Sequence, residues 1–338
     1  MIAGLDWASV KWRPATVFHR LAALSLLEGR PLTARGRWIN PLALAFLRAA
    51  ADGKAGAGHA VVRKPVFIVG VGRSGTTLTA RLLSLHRDVA LLNEPKALWH
   101  VACPQEDLVG NYSRGPAHYR LGTAQATERV RTRVHRLYQT ALFLTRRQRI
   151  VDKYPEMVYR LEWLRALFPD ARFVLLVRDG WSVCRSIATL SSRMRVARAG
   201  EIHDWWGAND RKWNFLVDEL VGGDPGLACH REEIRRSASP HDRAALEWAL
   251  AMREGYQAAR TDPDRLFTLR YEQLCAEPGE TLRRLLEFCQ LAPDPGLIER
   301  APDLVWPPAV RAPLPLHPLI EPLFRRTMLQ WGCHVDGG

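Results

Sequence analysis

Lysine is scarce in this chain, since only six of its 48 basic residues are lysines and arginine supplies the rest. Long apolar runs are lacking too. No stretch of about eighteen apolar residues occurs, which excludes an ordinary transmembrane helix. The N-terminus shows no basic segment followed by an apolar one, so we expect no cleaved secretory signal.

Paired cysteine motifs are also missing. Six cysteines are present, but none form a C-x-x-C pair and no histidine cluster accompanies them at metal spacing. We therefore expect reduced thiols, a cytoplasmic location and no bound metal.

What the chain does have is positive charge: its net charge is +13 over 338 residues. Such a field suits a nucleic acid, an anionic membrane surface or a polyanionic small molecule, and arginine fits phosphate and sulfate well. A nucleic-acid-binding protein would cluster basic and aromatic residues on one face. Because the arginines are instead spread along the sequence, we expect no nucleic-acid partner.

The first sixty residues differ from the rest. Residues 1–60 are predicted to be an N-terminal helical extension that ends in a linker rich in glycine and alanine, and residues 61–338 the main domain. An alternative is peripheral membrane contact through residues 1–50, using Trp7, Trp12 and Trp38.

The main domain alternates between strand and helix patterns. Buried apolar strands are predicted at residues 66–69 and 172–177, and further strands at residues 149–152 and 265–270. Helices are predicted at residues 76–85, 156–167, 181–190 and 280–289. This alternation predicts an α/β fold, a P-loop-type parallel sheet with helices on both faces. Ligands of such sheets bind beyond the C-terminal ends of the strands.

The strongest motif, GVGRSGTT at residues 70–77, follows a predicted strand and opens a helix. Backbone N–H groups of such a loop and the helix dipole favour an oxyanion. The candidate binding residues are Gly72, Arg73, Ser74, Gly75, Thr76 and Thr77. A nucleoside-triphosphate loop would carry lysine after its last glycine, where this chain has threonine. The alternative is a glycine-rich turn without a ligand.

A second candidate anion site follows the strand at residues 172–177. Arg178 lies at the strand end and Ser186 eight residues later, so together they could clamp a phosphate. The alternative is an ion pair between Arg178 and Asp179.

Together these two segments resemble the 5′-phosphosulfate and 3′-phosphate motifs of sulfotransferases that use 3′-phosphoadenosine 5′-phosphosulfate (PAPS). The segment RSGTTL, residues 73–78, is similar to the tyrosylprotein sulfotransferases and their bacterial relatives. The resemblance covers about residues 64–338. It implies PAPS as cofactor and in-line sulfuryl transfer to an acceptor oxygen. We expect no metal, because arginine and lysine can carry the charge, and we expect the acceptor to be a hydroxyl of a glycan, a lipid or a small natural product.

The resemblance also implies catalytic roles. Glu94, 21 residues after Arg73, is the expected base; the alternatives are a capping or ion-paired glutamate, with His86 as substitute base. Arg73 and Lys153 are expected to stabilise the transferring group and the leaving phosphate. Tyr256 is expected to contact the nucleotide, with a core position as the alternative.

The acceptor region is predicted at residues 193–214, a lid in which Trp205, Trp206 and Trp213 either stack on the acceptor or belong to the core. The tyrosylprotein family places a serine and a lysine near its C-terminus. This chain lacks both there, which puts protein tyrosine as acceptor in doubt; Arg311 could replace the lysine. A phosphate-loop kinase remains the alternative enzyme.

Overall fold

The computed structural model describes residues 27–28, 39–54, 62–198, 200–306 and 312–335. The N-terminal tryptophans Trp7, Trp12 and Trp38, as well as Arg311, lie outside this part of the chain. The predictions that concern them therefore stay predictions.

A five-stranded parallel sheet forms the centre of the fold. Its strands are β1 (Val66–Gly70), β2 (Val89–Asn93), β3 (Arg149–Lys153), β4 (Arg172–Val177) and β8 (Leu266–Arg270), in the order β2-β3-β1-β4-β8. Within the register, Lys153 pairs with Ile68 on one side and with Asn93 on the other. The C-terminal ends of β1, β2 and β3 therefore meet at one edge, as predicted for the ligand side of such a sheet.

Helices lie on both faces of the sheet, and four of the described helices follow the last strand, β8. They are α1 (Ile39–Ala51), α2 (Thr76–Ser84), α3 (Lys96–Ala102), α4 (Glu128–Thr145), α5 (Leu161–Leu167), α6 (Gly180–Met194), α7 (Arg211–Phe215), α8 (Arg231–Ser237), α9 (Pro240–Thr261), α10 (Tyr271–Ala276), α11 (Pro278–Phe288), α12 (Pro295–Arg300) and α13 (Glu321–Gln330). Shorter 3-10 and π turns connect several of them. Within the described residues, no helix is both long and apolar enough to cross a membrane.

The strands have a separate hydrophobic core on each face. Side chains alternate along β1, so Phe67 and Val69 pack into one core while Val66 and Ile68 pack into the other. All four are fully buried, which explains why the strand is continuously apolar. The predicted α/β fold with helices on both faces is therefore confirmed.

The N-terminal residues that are described pack against the main domain. On α1, Leu47 is fully buried, and the carbonyl of Ala51 at its end accepts a hydrogen bond from Arg136 Nη1 at 3.1 Å. Glu28 is also buried, and its Oε1 accepts the backbone N–H of Asn93 at 2.7 Å. The extension thus supplies a carboxylate at the end of β2.

One segment differs from the predicted elements, and another contains a sheet for which no strands were predicted. The predicted helix at residues 156–167 is wrong in its first half, which is a 3-10 helix, Pro155–Arg160. Arg160, at the junction between this turn and α5, has a non-helical φ of −132°, and its buried guanidinium donates to the carbonyls of Tyr119 and His118. The predicted lid contains a small antiparallel sheet of β5 (Val196–Arg198), β6 (Glu201–Asp204) and β7 (Gly207–Ala208).

Candidate functional site

The loop between β1 and α2 has an unusual backbone. Gly70 and Gly75 have φ of 136° and 98°, and Arg73, which is not a glycine, has φ of 73°. Ser74 is fully buried, and among the described residues its Oγ has no hydrogen-bond partner. Because Thr76 begins α2, the loop presents the N-terminal N–H groups of a nine-residue helix. A buried hydroxyl without a partner at such a position fits an oxyanion ligand.

Two glycines of this loop are required by close neighbours. A Cβ atom on Gly72 would lie 2.4 Å from Cη2 of Trp205. One on Gly75 would lie 2.3 Å from Cδ2 of Tyr271, in addition to the positive φ. The glycines therefore let two aromatic rings close over the loop.

The two predicted anion motifs meet in space. Arg73 Nε donates to Ser186 Oγ at 2.9 Å, and Arg178 Nη1 donates to the carbonyl oxygen of Arg73 at 3.2 Å. Desolvation and then the nearby Arg178 charge lower the pKa of Arg73, whereas Glu94 acts in the opposite direction. An anion bound between the two guanidinium groups would relieve their repulsion.

Arg178 is held by its surroundings in a way that leaves it available to a ligand. Its guanidinium lies over the Tyr271 ring at 4.1 Å from the centroid, and its carbonyl accepts Trp248 Nε1 at 3.2 Å. Arg178 Nε is buried, with no hydrogen-bond partner among the described residues. The alternative carboxylate, Asp179, accepts instead the backbone N–H of Ser182 at the start of α6. A charged donor without an acceptor fits a phosphate at this point.

Glu94 and Lys153 form an ion pair beside this cluster. Lys153 ends β3 and Glu94 follows β2, and the pairing of these strands holds their backbones together, with Glu94 N donating to Lys153 O at 2.7 Å. Lys153 Nζ lies 2.5 Å from Glu94 Oε1. The Lys153 side chain is only 2% exposed and that of Glu94 28%, so the Lys153 ammonium does not lie on the protein surface. Glu94 also has a left-handed backbone, with φ of 51°.

A buried carboxyl group precedes this lysine. Asp152 Oδ2 accepts hydrogen bonds from Tyr138 Oη at 2.6 Å and from Trp99 Nε1 at 2.9 Å. Burial raises the pKa of Asp152 to about 7, although both hydrogen bonds act in the opposite direction. Asp152 is therefore a titratable group fixed in the core directly behind the candidate site.

Two predicted residues lie elsewhere. Tyr256 on α9 packs edge-on against Trp331, with ring centroids 5.4 Å apart, and its nucleotide contact stays a prediction. His86 is buried at the end of α2, where its Nε2 lies 2.9 Å from the carbonyl oxygen of Ala292. Among the described residues, no group of three or more histidine, cysteine or acidic side chains could hold a metal ion.

Of the three tryptophans in the predicted lid, only Trp205 reaches the site. Trp206 and Trp213 are buried and belong to the core. Trp205 lines a cavity of about 260 Å³ together with Gly72 and Glu94. This cavity opens directly beside the candidate base.

The buried lysine that supports Trp205 was missed from the sequence. Lys212 lies between Glu247 at 2.5 Å and Glu156 at 3.2 Å, with its ammonium 4.7 Å from the centroid of the Trp205 indole. These carboxylates raise the pKa of Lys212 despite its burial. The rarity of lysine in this chain was the one signal in the sequence that could have pointed to Lys212.

Comparison with known proteins assigns the chain to a family. The family model described as "Sulfotransferase family" matches residues 65–222 and 228–295. Protein-tyrosine sulfotransferase 1 of Danio rerio is 28% identical over 178 residues, which are 50% of this chain and 48% of that protein. Nodulation protein NoeE of Sinorhizobium fredii is 26% identical over 227 residues, 65% of this chain and 48% of that protein.

The chain thus spans about half the length of these two relatives. The crystal structure of sulfotransferase STF9 from Mycobacterium avium superposes with a TM-score of 0.52 at 14% identity, covering 98% of this chain and 96% of that one. That likeness concerns the fold, and the family model, which matches more than half of the sequence, gives the assignment. The chain belongs to the sulfotransferase family.

Proposed function

We propose that this protein is an enzyme that transfers a sulfuryl group from PAPS to an acceptor hydroxyl. The observation that carries the proposal is the convergence of Arg73, Ser186 and Arg178 at the phosphate loop, beside the Glu94–Lys153 ion pair. Two anion-binding groups and a carboxylate at the same sheet edge are what this reaction requires.

The residues at the loop would hold the two charged ends of the cofactor. When bound, PAPS supplies an activated sulfuryl group next to a phosphate that can leave. The N–H groups at the start of α2, the buried Ser74 hydroxyl and Arg73 suit the 5′-phosphosulfate. Arg178 with its unpartnered Nε, together with Ser186, suits the 3′-phosphate.

Glu94 would act as the base. Its carboxylate takes the proton of the acceptor hydroxyl while the new bond from oxygen to sulfur forms and the bond to the leaving phosphate breaks. When Glu94 becomes neutral it no longer holds Lys153 electrostatically. The Lys153 ammonium and the Arg73 guanidinium then face the negative charge that develops on the leaving oxygen. The chemistry proposed here needs no metal.

The acceptor proposed is a small molecule or a glycan, and the location proposed is the cytoplasm. Peripheral membrane contact through residues 1–50 stays a prediction. Membership of the family supports sulfuryl transfer, whereas the roles proposed for the site residues rest on the geometry described above.

The test is calorimetric titration with 3′-phosphoadenosine 5′-phosphate, with ATP titrated in parallel. We expect tight binding of the bisphosphate and little heat from ATP. Arg178→Ala should weaken bisphosphate binding at least tenfold, because it removes a charge-assisted contact to a phosphate. The matched control is Arg283→Ala, since Arg283 is exposed and, within the described residues, its ion pairs are with Glu280 and Glu287 on its own helix. Preference for ATP, or equal loss in both variants, would contradict the proposal.

A further inference from the structure

The cavity beside Glu94 has a definite size and shape. Its volume is about 260 Å³, and it lies between the phosphate loop and the small antiparallel sheet. Val196 and His203 are cross-strand partners in that sheet, so both project from the same face, and both line the cavity. A cavity of about 150 Å³ holds a benzene molecule. This cavity therefore accommodates one six-membered ring with its substituents.

Polar side chains surround the space at several points. Lys96, Asn111 and His203 come from three separate segments, and all three line the cavity together with Glu94. His203 Nε2 faces Glu201 Oε2 at 3.2 Å, so its other ring nitrogen is the one available to a ligand. Lys96 makes no ion pair within the described part of the chain; its ammonium lies 5.5 Å from the centroid of the Tyr154 ring.

This set of donors distinguishes between kinds of acceptor. A phenol has one hydroxyl, which would be directed at Glu94, and its ring would remove water from the remaining polar groups without replacing their hydrogen bonds. Burying such groups without partners disfavours the ligand strongly. A polyhydroxylated ring offers each of them a hydroxyl.

One wall of the cavity is flat and rigid. The Trp205 indole N–H donates to Glu247 Oε2 at 2.9 Å, and Lys212 lies over the ring while paired with the same glutamate. The far edge of the indole rests against Gly72. Trp205 is thus fixed on several sides, and an indole of this kind packs well on the apolar face of a sugar ring.

The rim of the cavity is apolar. Met194 and Val196 both line it and are 47% and 54% exposed, which is high for large aliphatic side chains. An acceptor that leaves the cavity at this rim gains by carrying an apolar group there.

From these observations we infer that the acceptor is a hexose unit with an apolar substituent, such as an alkyl or acyl glycoside. The hexose would occupy the cavity against Trp205, with one hydroxyl at Glu94 and others at Lys96 and His203. The substituent would lie across Met194 and Val196. This inference rests on the proposed function and specifies the acceptor of the same site.

The first experiment compares acceptors. Transfer of radiolabelled sulfuryl from PAPS is measured with methyl hexopyranosides, octyl hexopyranosides and 4-butylphenol, and bisphosphate binding is measured on the same preparation. We expect transfer to the hexosides and little to the phenol. The KM for the octyl glycosides should be about tenfold below that for the methyl glycosides, since burial of about two methylene groups has an effect of that size.

The outcomes separate the two proposals. Transfer to the phenol alone, or to none of these alcohols, with the bisphosphate still bound, overturns the hexose assignment and leaves the proposed function standing. Absence of bisphosphate binding overturns both. Equal KM values for methyl and octyl glycosides overturn the assignment of the apolar rim.

Variants test the residues individually. His203→Ala should raise the KM for hexosides about tenfold with little change in bisphosphate affinity, and His203→Asn should restore part of the loss because an amide still forms the hydrogen bond. Val196→Ser should reduce the advantage of the octyl chain severalfold. The control is Phe143→Ser, an exposed apolar residue on α4, and should leave that ratio unchanged. A similar change in both variants would refute a role for the rim.

Discussion

Replacing Glu94 by glutamine removes the carboxylate partner of a lysine that is almost completely buried. Lys153 is 2% exposed and Glu94 28%, so the two ends of the pair differ in access to water. A buried charge that loses its partner typically costs about 3–5 kcal/mol. We take about 3 kcal/mol for Glu94→Gln, because the amide oxygen still accepts a hydrogen bond. For a chain of this size, this corresponds to a Tm lower by about 4 °C.

Lys153→Met should cost much less, about 1 kcal/mol, because Glu94 can be hydrated and methionine fills the apolar space. The double variant should therefore be more stable than Glu94→Gln alone. Denaturant unfolding and thermal melting of the four proteins in this cycle measure the coupling. The reasoning is refuted if Lys153→Met destabilises more than Glu94→Gln, or if the effects of the two changes simply add.

Activity should follow a different pattern from stability in the same cycle. Glu94→Gln should lower kcat by about 10²- to 10⁴-fold, the usual contribution of a general base, with bisphosphate affinity changed less than about threefold. The double variant should regain stability but no turnover. A double variant that recovers activity would mean that the ion pair is structural.

Three further changes probe the neighbouring residues. Gly72→Ala should weaken bisphosphate binding at least tenfold, because the added Cβ would collide with the Trp205 indole. Adding Trp205→Ala should recover part of the lost affinity. If calorimetry shows no loss for Gly72→Ala, the indole moves easily. Arg73→Lys keeps the charge but loses the Nε bond to Ser186, so bisphosphate affinity should fall severalfold, and an unchanged affinity would contradict this role. Asp152→Asn should remove part of the pH dependence of stability. The folded-state pKa of about 7 exceeds the usual 3.8, so the wild type loses stability as pH rises from about 4 through 7, by up to about 1.4 kcal/mol per unit. The urea midpoint of the variant, relative to that of the wild type, should be higher at pH 8 than at pH 5. An equal difference between the two midpoints at both pH values would refute this prediction.

Much of the fold could be predicted because its strands are buried on both faces. Segments such as 66–69 and 173–177 are apolar at every position, a pattern typical of strands in a parallel sheet with both faces covered. The 3-10 turn ending at Arg160 could not be found from the sequence, and the buried Arg160 guanidinium there donates to carbonyls of a loop about forty residues earlier. Such long-range hydrogen bonds leave no trace in local periodicity.

The candidate site could be predicted in its motifs but not in its contacts. The sequence places Arg73 in the loop after a strand and Ser186 in a helix. The hydrogen bond between them, however, depends on how two segments 113 residues apart pack together. It was equally impossible to predict that Trp205 lines the cavity while Trp206 is buried in the core. The two tryptophans are adjacent, and the sequence does not distinguish them until the strands of the small sheet are known.

The left-handed backbone of Arg73 and Glu94 has a practical consequence for anyone who engineers this protein. A non-glycine residue in that region costs about 1 kcal/mol or more, and glycine relieves the cost. A library screened only for heat resistance should therefore enrich glycine at position 73 and deliver robust but inactive clones, whereas at position 94 the loss of the ion pair with Lys153 outweighs the backbone relief. Thermostabilisation should hold these two codons constant and look for its gains elsewhere.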